Sequence, residues 1–209
     1  MSRAALSTPS LQQIIDRARI LVIDDQEFAY ETLFREEGYN IIKWNDVNRF
    51  TEIEQGKFDV ILLDLQGIGR EVSQDQGLGV LRHIKSARPS QVVVAYSNAD
   101  WPVKYQSFFE RADRIFEKSA DYGDFKRGVD ELLQEHFSLG FHLHRIDRTL
   151  LEFGTDSWRT RRFARAAVST GNADKLQKLL KSKGIDPESV QIVLALVQAA
   201  SGVAQIWSA

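Results

Sequence analysis

The sequence predicts an α/β chain: a five-stranded, doubly wound parallel sheet followed by an all-α C-terminal domain. Three observations carry this. Short runs of branched aliphatic residues, bounded by turn residues, recur up to about Phe137, as strands buried on both faces do. Amphipathic stretches separate them, and from Ser138 onward the periodicity is helical. At 209 residues, 43% of them apolar, the chain has room for one domain of ordinary size and a smaller second one.

RILVIDD, residues 19–25, reads as a strand ending in two acids. DQEFAYETLFREEGY, residues 25–39, puts Phe28, Leu33 and Phe34 at helical spacing and stops near Gly38. NIIKW is a second strand, NRFTEIEQG a short helix closed by Gly56, and FDVILLD the third strand. After a polar loop, GLGVLRHIKSARP is a helix that Pro89 ends. QVVVAYS is the fourth strand and WPVKYQSFFERA, residues 101–112, a helix opened by Pro102. DRIFEK is the fifth strand, and DYGDFKRGVDELLQEHF the fifth helix. The expected division is an N-terminal arm or short helix over residues 1–17, the sheet domain over 18–137 and the helical domain over 138–209.

Composition narrows the function classes. With no cysteine, disulfides and thiolate metal sites are excluded. MSRAALSTPS lacks the apolar core of a secretory signal, so the expected location is cytoplasmic. The net charge of -2 hides an asymmetry: residues 138–209 carry 10 basic against 6 acidic side chains, residues 1–137 the other 17 and 23. A mildly basic tail permits a nucleic-acid partner without requiring one.

In a doubly wound sheet the ligand site lies beyond the carboxyl ends of the strands. Asp24, Asp25, Asp64, Ser97 and Lys118 all fall at such ends. Three carboxylates gathered there repel one another, and a divalent cation with hard oxygen ligands relieves them. The absence of Cys and of nearby His favours magnesium over zinc.

ILVIDD, FDVILLD, VVVAYS and IFEK, in this order and at these separations, resemble the receiver domain of bacterial two-component response regulators, which has the flavodoxin-like fold. The resemblance spans residues 18–137. It implies that Asp64 accepts a phosphoryl group from a histidine kinase or phosphotransfer protein and becomes an acyl phosphate. It implies Mg2+ held by the side chains of Asp25 and Asp64, the backbone carbonyl of Gln66 and, through water, Asp24. Lys118 then pairs with Asp64 before transfer and with the phosphoryl oxygens afterwards, while Ser97 offers its hydroxyl to the phosphoryl group. Taken singly, Ser97 is a turn residue, Lys118 a solvated strand end and Asp25 a helix cap. Their coincidence is what points to a site.

The sequence departs from the family in four places. The loop LQGIGREVSQDQ after Asp64 is about five residues longer than usual, by comparison with ordinary receiver domains. Asn98 follows Ser97 where Ala or Gly is usual. Ser119 follows Lys118 where a cis proline is common, and a cis bond before a non-proline residue costs about 2.5 to 4 kcal/mol. Ile115 stands where many members have a switching aromatic, and Phe116 falls on the other side of the sheet.

Tyr122, Phe125, Val129, Leu132, His136, Leu139, Leu143, Ile146, Leu150 and Phe153 alternate spacings of three and four, a heptad seam that predicts one helix over residues 122–153. Its first half is expected on the sheet and its second half against another helix, the tail's own or a partner protomer's. Ser138 and Gly140 are where it would kink or break. His136, His142 and His144 read as packing or surface residues, since His142 and His144 lie on opposite sides of a helix.

Residues 157–190 read as two helices joined at Gly171 and Asn172, resembling one ankyrin-type helical pair in a single copy. A DNA-binding helix-turn-helix is the alternative, on Ala167, Gly171, Arg159, Arg161, Arg162 and Arg165, weakened by Gln177. The last stretch, SVQIVLALVQAASGVAQIWSA, is uncharged and long enough for a bilayer, but Gln191, Gln198 and Gln205 form a polar stripe. It is expected to be a buried helix, meeting a second subunit where Ala195, Ala199 and Gly202 permit close approach. The expected function is a phosphorylation-controlled response regulator, not an enzyme in its own right, whose helical module forms a homodimer or binds a protein. The alternative is a transcription regulator whose tail binds DNA.

Overall fold

The computed structural model describes residues 9–47, 49–97 and 111–208, without the side chains of residues 97 and 206–208. The chain divides into two compact units, one of them Ser10–Gln134 and the other containing Glu135–Ala209. The sheet unit holds β1 (Arg19–Ile23), β2 (Asn40–Trp44), β3 (Val60–Asp64), β4 (Val92–Ser97) and β5 (Arg114–Glu117). All four pairings are parallel and the order is β2-β1-β3-β4-β5. This is the flavodoxin-like order, which reverses between β1 and β3 and opens its crevice at their carboxyl ends.

Side chains alternate between faces with period two, and both faces are buried. Leu21, Ile23, Ile61, Leu63, Val93 and Ala95 pack against α3 (Phe50–Glu54) and α4 (Gly77–Ala87) through Ile53, Leu78, Leu81 and Ile84. The opposite row continues Val22, Leu62 and Val94 into Tyr96 and Phe116, whose rings meet Phe125 of α5 (Tyr122–His136). A side chain at Gly128 would strike the Phe116 ring, so this glycine lets α5 lie close to β5.

Two short helices lie beside these. In α1 (Leu11–Ile15) Ser10 and Gln13 cap each other reciprocally, and Ile14 and Ile15 are buried, so the segment before β1 belongs to the sheet unit rather than forming a free arm. The helix expected over residues 25–39 is shortened to α2 (Glu31–Glu36). Asp24 is the reason: its Oδ1 accepts the N–H of Gln26 at 2.9 Å, a turn that competes with helix. Phe28 then leaves helical spacing and buries its ring among Phe34, Tyr96 and Phe125. The helix expected over residues 101–112 falls almost wholly outside the described residues.

The single helix expected over residues 122–153 is two, α5 and α6 (Leu139–Glu152), and the compact units meet in sequence at Gln134 and Glu135. Ser138 causes the break. It is extended, with φ -88° and ψ 116°, and its hydroxyl accepts the N–H of Phe141, so it caps α6 instead of continuing α5. His142 reinforces the break. Its ring is 2% exposed and its Nε2–H donates to the carbonyl of His136 at 2.5 Å, satisfying an acceptor that the ended helix leaves open.

The helical unit closes a core of its own. Ile146 and Leu150 of α6 meet Ala164 and Val168 of α7 (Trp158–Thr170), Leu176 and Leu180 of α8 (Asp174–Ser182), and Val190, Val193 and Val197 of α9 (Pro187–Ser208). The tail's own helices therefore cover the second half of the seam. Gly171, at φ 70°, makes the left-handed turn between α7 and α8. Residues 187–205 of α9 are long and apolar enough to cross a bilayer, with mean hydropathy 1.2. Yet its valines pack in the core, while Gln191, Gln198 and Gln205 form the exposed stripe.

Burial lowers the pKa of His142 below the ordinary histidine value, against the pull of the His136 carbonyl, and its Nδ1 has no hydrogen-bond partner among the described residues. A depressed folded-state pKa means that stability is present above the unfolded value of about 6.5 and fades as pH falls below it. Thermal unfolding should therefore show a decline in midpoint from about pH 7.5 to about 5.5 that is smaller in His142→Gln. An equal decline in the variant contradicts this.

Candidate functional site

The registers bring the site together. Ile23 of β1 pairs with Leu63 of β3, so Asp24 and Asp64 follow side by side, and Asp64 in turn pairs with Tyr96 of β4. Tyr96 pairs with Phe116 of β5, and Lys118, two residues on, shares that parity. One row of the sheet thus carries Asp24, Asp64, Tyr96 and Lys118 to the same edge. Ligand oxygens of Asp24, Asp25 and Asp64 lie within 4.8 Å of one another.

Lys118 sits among these acids. Its Nζ donates to Asp64 Oδ2 at 2.8 Å and to Asp24 Oδ2 at 3.2 Å, and stands 5.0 Å from the centre of the Tyr96 ring. Asp64 Oδ1 accepts the backbone N–H of Gln66 at 3.1 Å. Asp24 and Asp64 are each 2% exposed, whereas Asp25 is open to solvent. Burial raises the pKa of Asp64 above the ordinary carboxylate value, and Asp24 adds to it, against the downward pull of Lys118 and the Gln66 N–H. Burial also opposes the Lys118 ammonium, but Asp64 and Asp24 outweigh it and hold its pKa above the usual lysine value. The three carboxylates and one ammonium leave a net negative pocket of oxygen donors, the chemistry of a hard divalent cation.

Two glycines make the arrangement possible. Gly67 has φ 80°, and a Cβ there would lie 2.1 Å from Asp25 Oδ2. Gly77 opens α4 against the end of β3, where a Cβ would lie 2.5 Å from the Asp64 carbonyl oxygen. The long loop over residues 65–76 is pinned from within: the N–H of Gly67 donates to Gln76 Oε1 at 3.0 Å, that of Gly69 to Asp46 Oδ1 at 2.7 Å, and Ile68 is fully buried. Gln76 itself takes φ 53°, an uncommon value for a residue with a side chain.

Sequence reasoning missed Tyr96. Its hydroxyl donates to Asp24 Oδ2, and burial, followed by Asp24 itself, pushes its pKa far up, so it remains a phenol. The available signal was a tyrosine in an otherwise aliphatic buried strand, since such a hydroxyl needs a partner. Phe28, Tyr30, Tyr96 and Phe125 wall a cavity of about 90 Å³ beside Asp24 and Lys118. Tyr30 closes one side by donating to the carbonyl of Ala120 at 2.5 Å, tying the segment after β1 to that after β5.

Ser97 ends β4 opposite Glu117, and its side chain and Asn98 lie outside the described residues. Among the described residues no peptide bond is cis, that before Ser119 included. Ile115 is 52% exposed, and Phe116 points to the other face, onto Phe125.

No family model matches the sequence, and no curated protein matches it. Solved structures do align with it. One is a CheY-like response regulator receiver domain protein from Methanospirillum hungatei, with 21% identity and a TM-score of 0.47 over 56% of this chain and 94% of that one. Another is the receiver domain of NtrX from Brucella abortus, with 25% identity and a TM-score of 0.46 over 56% and 98%. A third is the response regulator TrrA from Thermotoga maritima in complex with Mg2+-BeF, with 27% identity and a TM-score of 0.44 over 55% and 98%. The first and third are response regulator proteins and the second is a receiver domain.

A cation that binds only the folded site stabilises it, by about 1.4 kcal/mol at ten times its dissociation constant. Magnesium should raise the thermal midpoint of the wild type and raise it far less in Asp25→Asn, an exposed substitution that leaves the core intact. Equal shifts in both proteins contradict a cation site at this edge.

Proposed function

We propose that the chain is a two-component response regulator in which Asp64 accepts a phosphoryl group and a helical C-terminal module responds. The observation that carries this reading is the ammonium of Lys118 bridging Asp64 and Asp24 at adjacent strand ends. Phosphoryl transfer asks a protein mainly for alignment and charge neutralisation, and this cluster offers both.

An oxygen of Asp64 attacks the phosphorus of a phosphohistidine on a histidine kinase or phosphotransfer protein. The new O–P bond forms as the N–P bond breaks, and the bonding pair leaves with the imidazole nitrogen. Lys118 then follows the charge from the Asp64 carboxylate to the phosphoryl oxygens, and Ser97 supplies a hydroxyl to them. Asp25, Asp64 and the Gln66 carbonyl would hold Mg2+ directly and Asp24 through water. When bound, it shields the incoming phosphoryl charge from the carboxylates. Ile115 gives β5 no aromatic at the usual switching position, and Phe116 is committed to α5, so the response runs through other contacts.

The helical module is read as a surface for self-association or for a protein partner. Its core is filled internally, leaving Trp158 at 73% and Leu151 at 62% exposure, while Ala195, Ala199 and Gly202 also stay outside the core. DNA binding is less well supported. Arg161 pairs with Asp156 at 2.7 Å and Arg165 with Asp147 at 2.8 Å, which draws charge away from the basic face.

With magnesium and a small phosphodonor such as phosphoramidate, intact mass should show one phosphoryl group, lost in Asp64→Asn. Sedimentation of the same samples should show a dimer that the phosphoryl group strengthens. A label that persists in Asp64→Asn moves the acceptor elsewhere, and a monomer in every state removes self-association.

A further inference from the structure

The three carboxylates differ in how many of their lone pairs the protein already uses, out of about four each. Asp25 has no hydrogen bond among the described residues. Asp64 accepts two, from Gln66 and Lys118. Asp24 accepts three: the Gln26 N–H on Oδ1, and the Tyr96 hydroxyl and Lys118 ammonium on Oδ2. Of these donors, Lys118 is mobile in the proposed reaction, since it turns to the phosphoryl oxygens. The Gln26 N–H covers only the other oxygen. Tyr96 alone holds Oδ2 throughout, and its ring is fixed among Phe28 and Phe125 with 3% exposure.

We propose that Tyr96 is a positioning residue whose hydroxyl withholds Asp24 Oδ2 from the divalent cation. Asp24 Oδ2 then contributes charge to the site without entering direct coordination, which falls first to Asp25 and Asp64. A hydrogen bond to a carboxylate competes with metal ligation for the same lone pairs, so the phenol keeps cation affinity below what three free acids would give. The position of Tyr96 also matters: it directly precedes Ser97, so the strand end that meets the phosphoryl group also restrains the first acid of the cluster. This inference rests on the response-regulator reading for its reaction, but not for its test.

The test is titration calorimetry of magnesium into wild type, Tyr96→Phe, Asp24→Asn and the double variant, with no phosphodonor. Tyr96→Phe keeps the ring and should bind magnesium roughly three- to tenfold more tightly than wild type. In the Asp24→Asn background the same substitution should change nothing, because the partner through which it acts is gone. Tyr96→Met repeats the comparison where the phenylalanine variant folds poorly, as read by thermal unfolding. If wild type binds magnesium and Tyr96→Phe binds it equally or more weakly, the positioning role is overturned and the phosphoacceptor reading stands. An equal gain in both backgrounds also overturns it, because Tyr96 would then act by packing rather than through Asp24. Wild type that binds no magnesium overturns both readings.

Discussion

The ammonium of Lys118 lies between two nearly fully buried carboxylates, and the rest of the site depends on that contact. Asp24 and Asp64 come from strands that neighbour each other in the sheet, so their proximity follows from topology and register. Bringing like charges together in a buried setting is unfavourable, and one cation does not neutralise three acids. The excess negative charge, carried on oxygen donors, suits a second, divalent cation. The same pocket therefore carries a structural cost and, under the proposed function, a binding role.

Much of the surrounding chain holds this cluster in place. Glycine at residues 67 and 77 removes side chains that would otherwise collide with Asp25 and with the backbone of Asp64. The Gln66 and Gln26 amides each face an acid two residues earlier, turning the chain at both strand ends. Tyr30 and the aromatic group around Phe125 join the segments after β1 and β5, so the acids and the lysine are carried by loops that are themselves tied together. The long loop after Asp64 is anchored at Gly67, Ile68 and Gly69, a fixed rim rather than a slack connection.

The acids, the lysine and the sheet were legible in the sequence because each is a local signal: an aliphatic run, then a polar residue where the run stops. Side-chain parity then follows from the period of two along each strand. The features that escaped are relational. Tyr96 matters because its ring reaches across β3 to Asp24, and Gly67 because of where Asp25 lies, and neither distance is written in spacing along the chain. The heptad seam from Tyr122 to Phe153 was legible, but its continuity was not. Ser138 can continue a helix or cap the next one; here it caps, and His142, six residues beyond His136, reinforces the break by donating to the His136 carbonyl. The start of α2 failed similarly, because the Asp24 turn and the aromatic burial of Phe28 outweighed helical spacing.

Under the proposed function the strand-end carboxylates repel one another, and two cations, the ammonium of Lys118 and a divalent one, hold them together. Urea unfolding of Lys118→Met beside wild type, in chelator and in saturating magnesium, addresses it most directly. The variant should be less stable in chelator by roughly 1–3 kcal/mol, and should gain more from magnesium than wild type does. Equal stability in chelator, with equal gains from the metal, would contradict it.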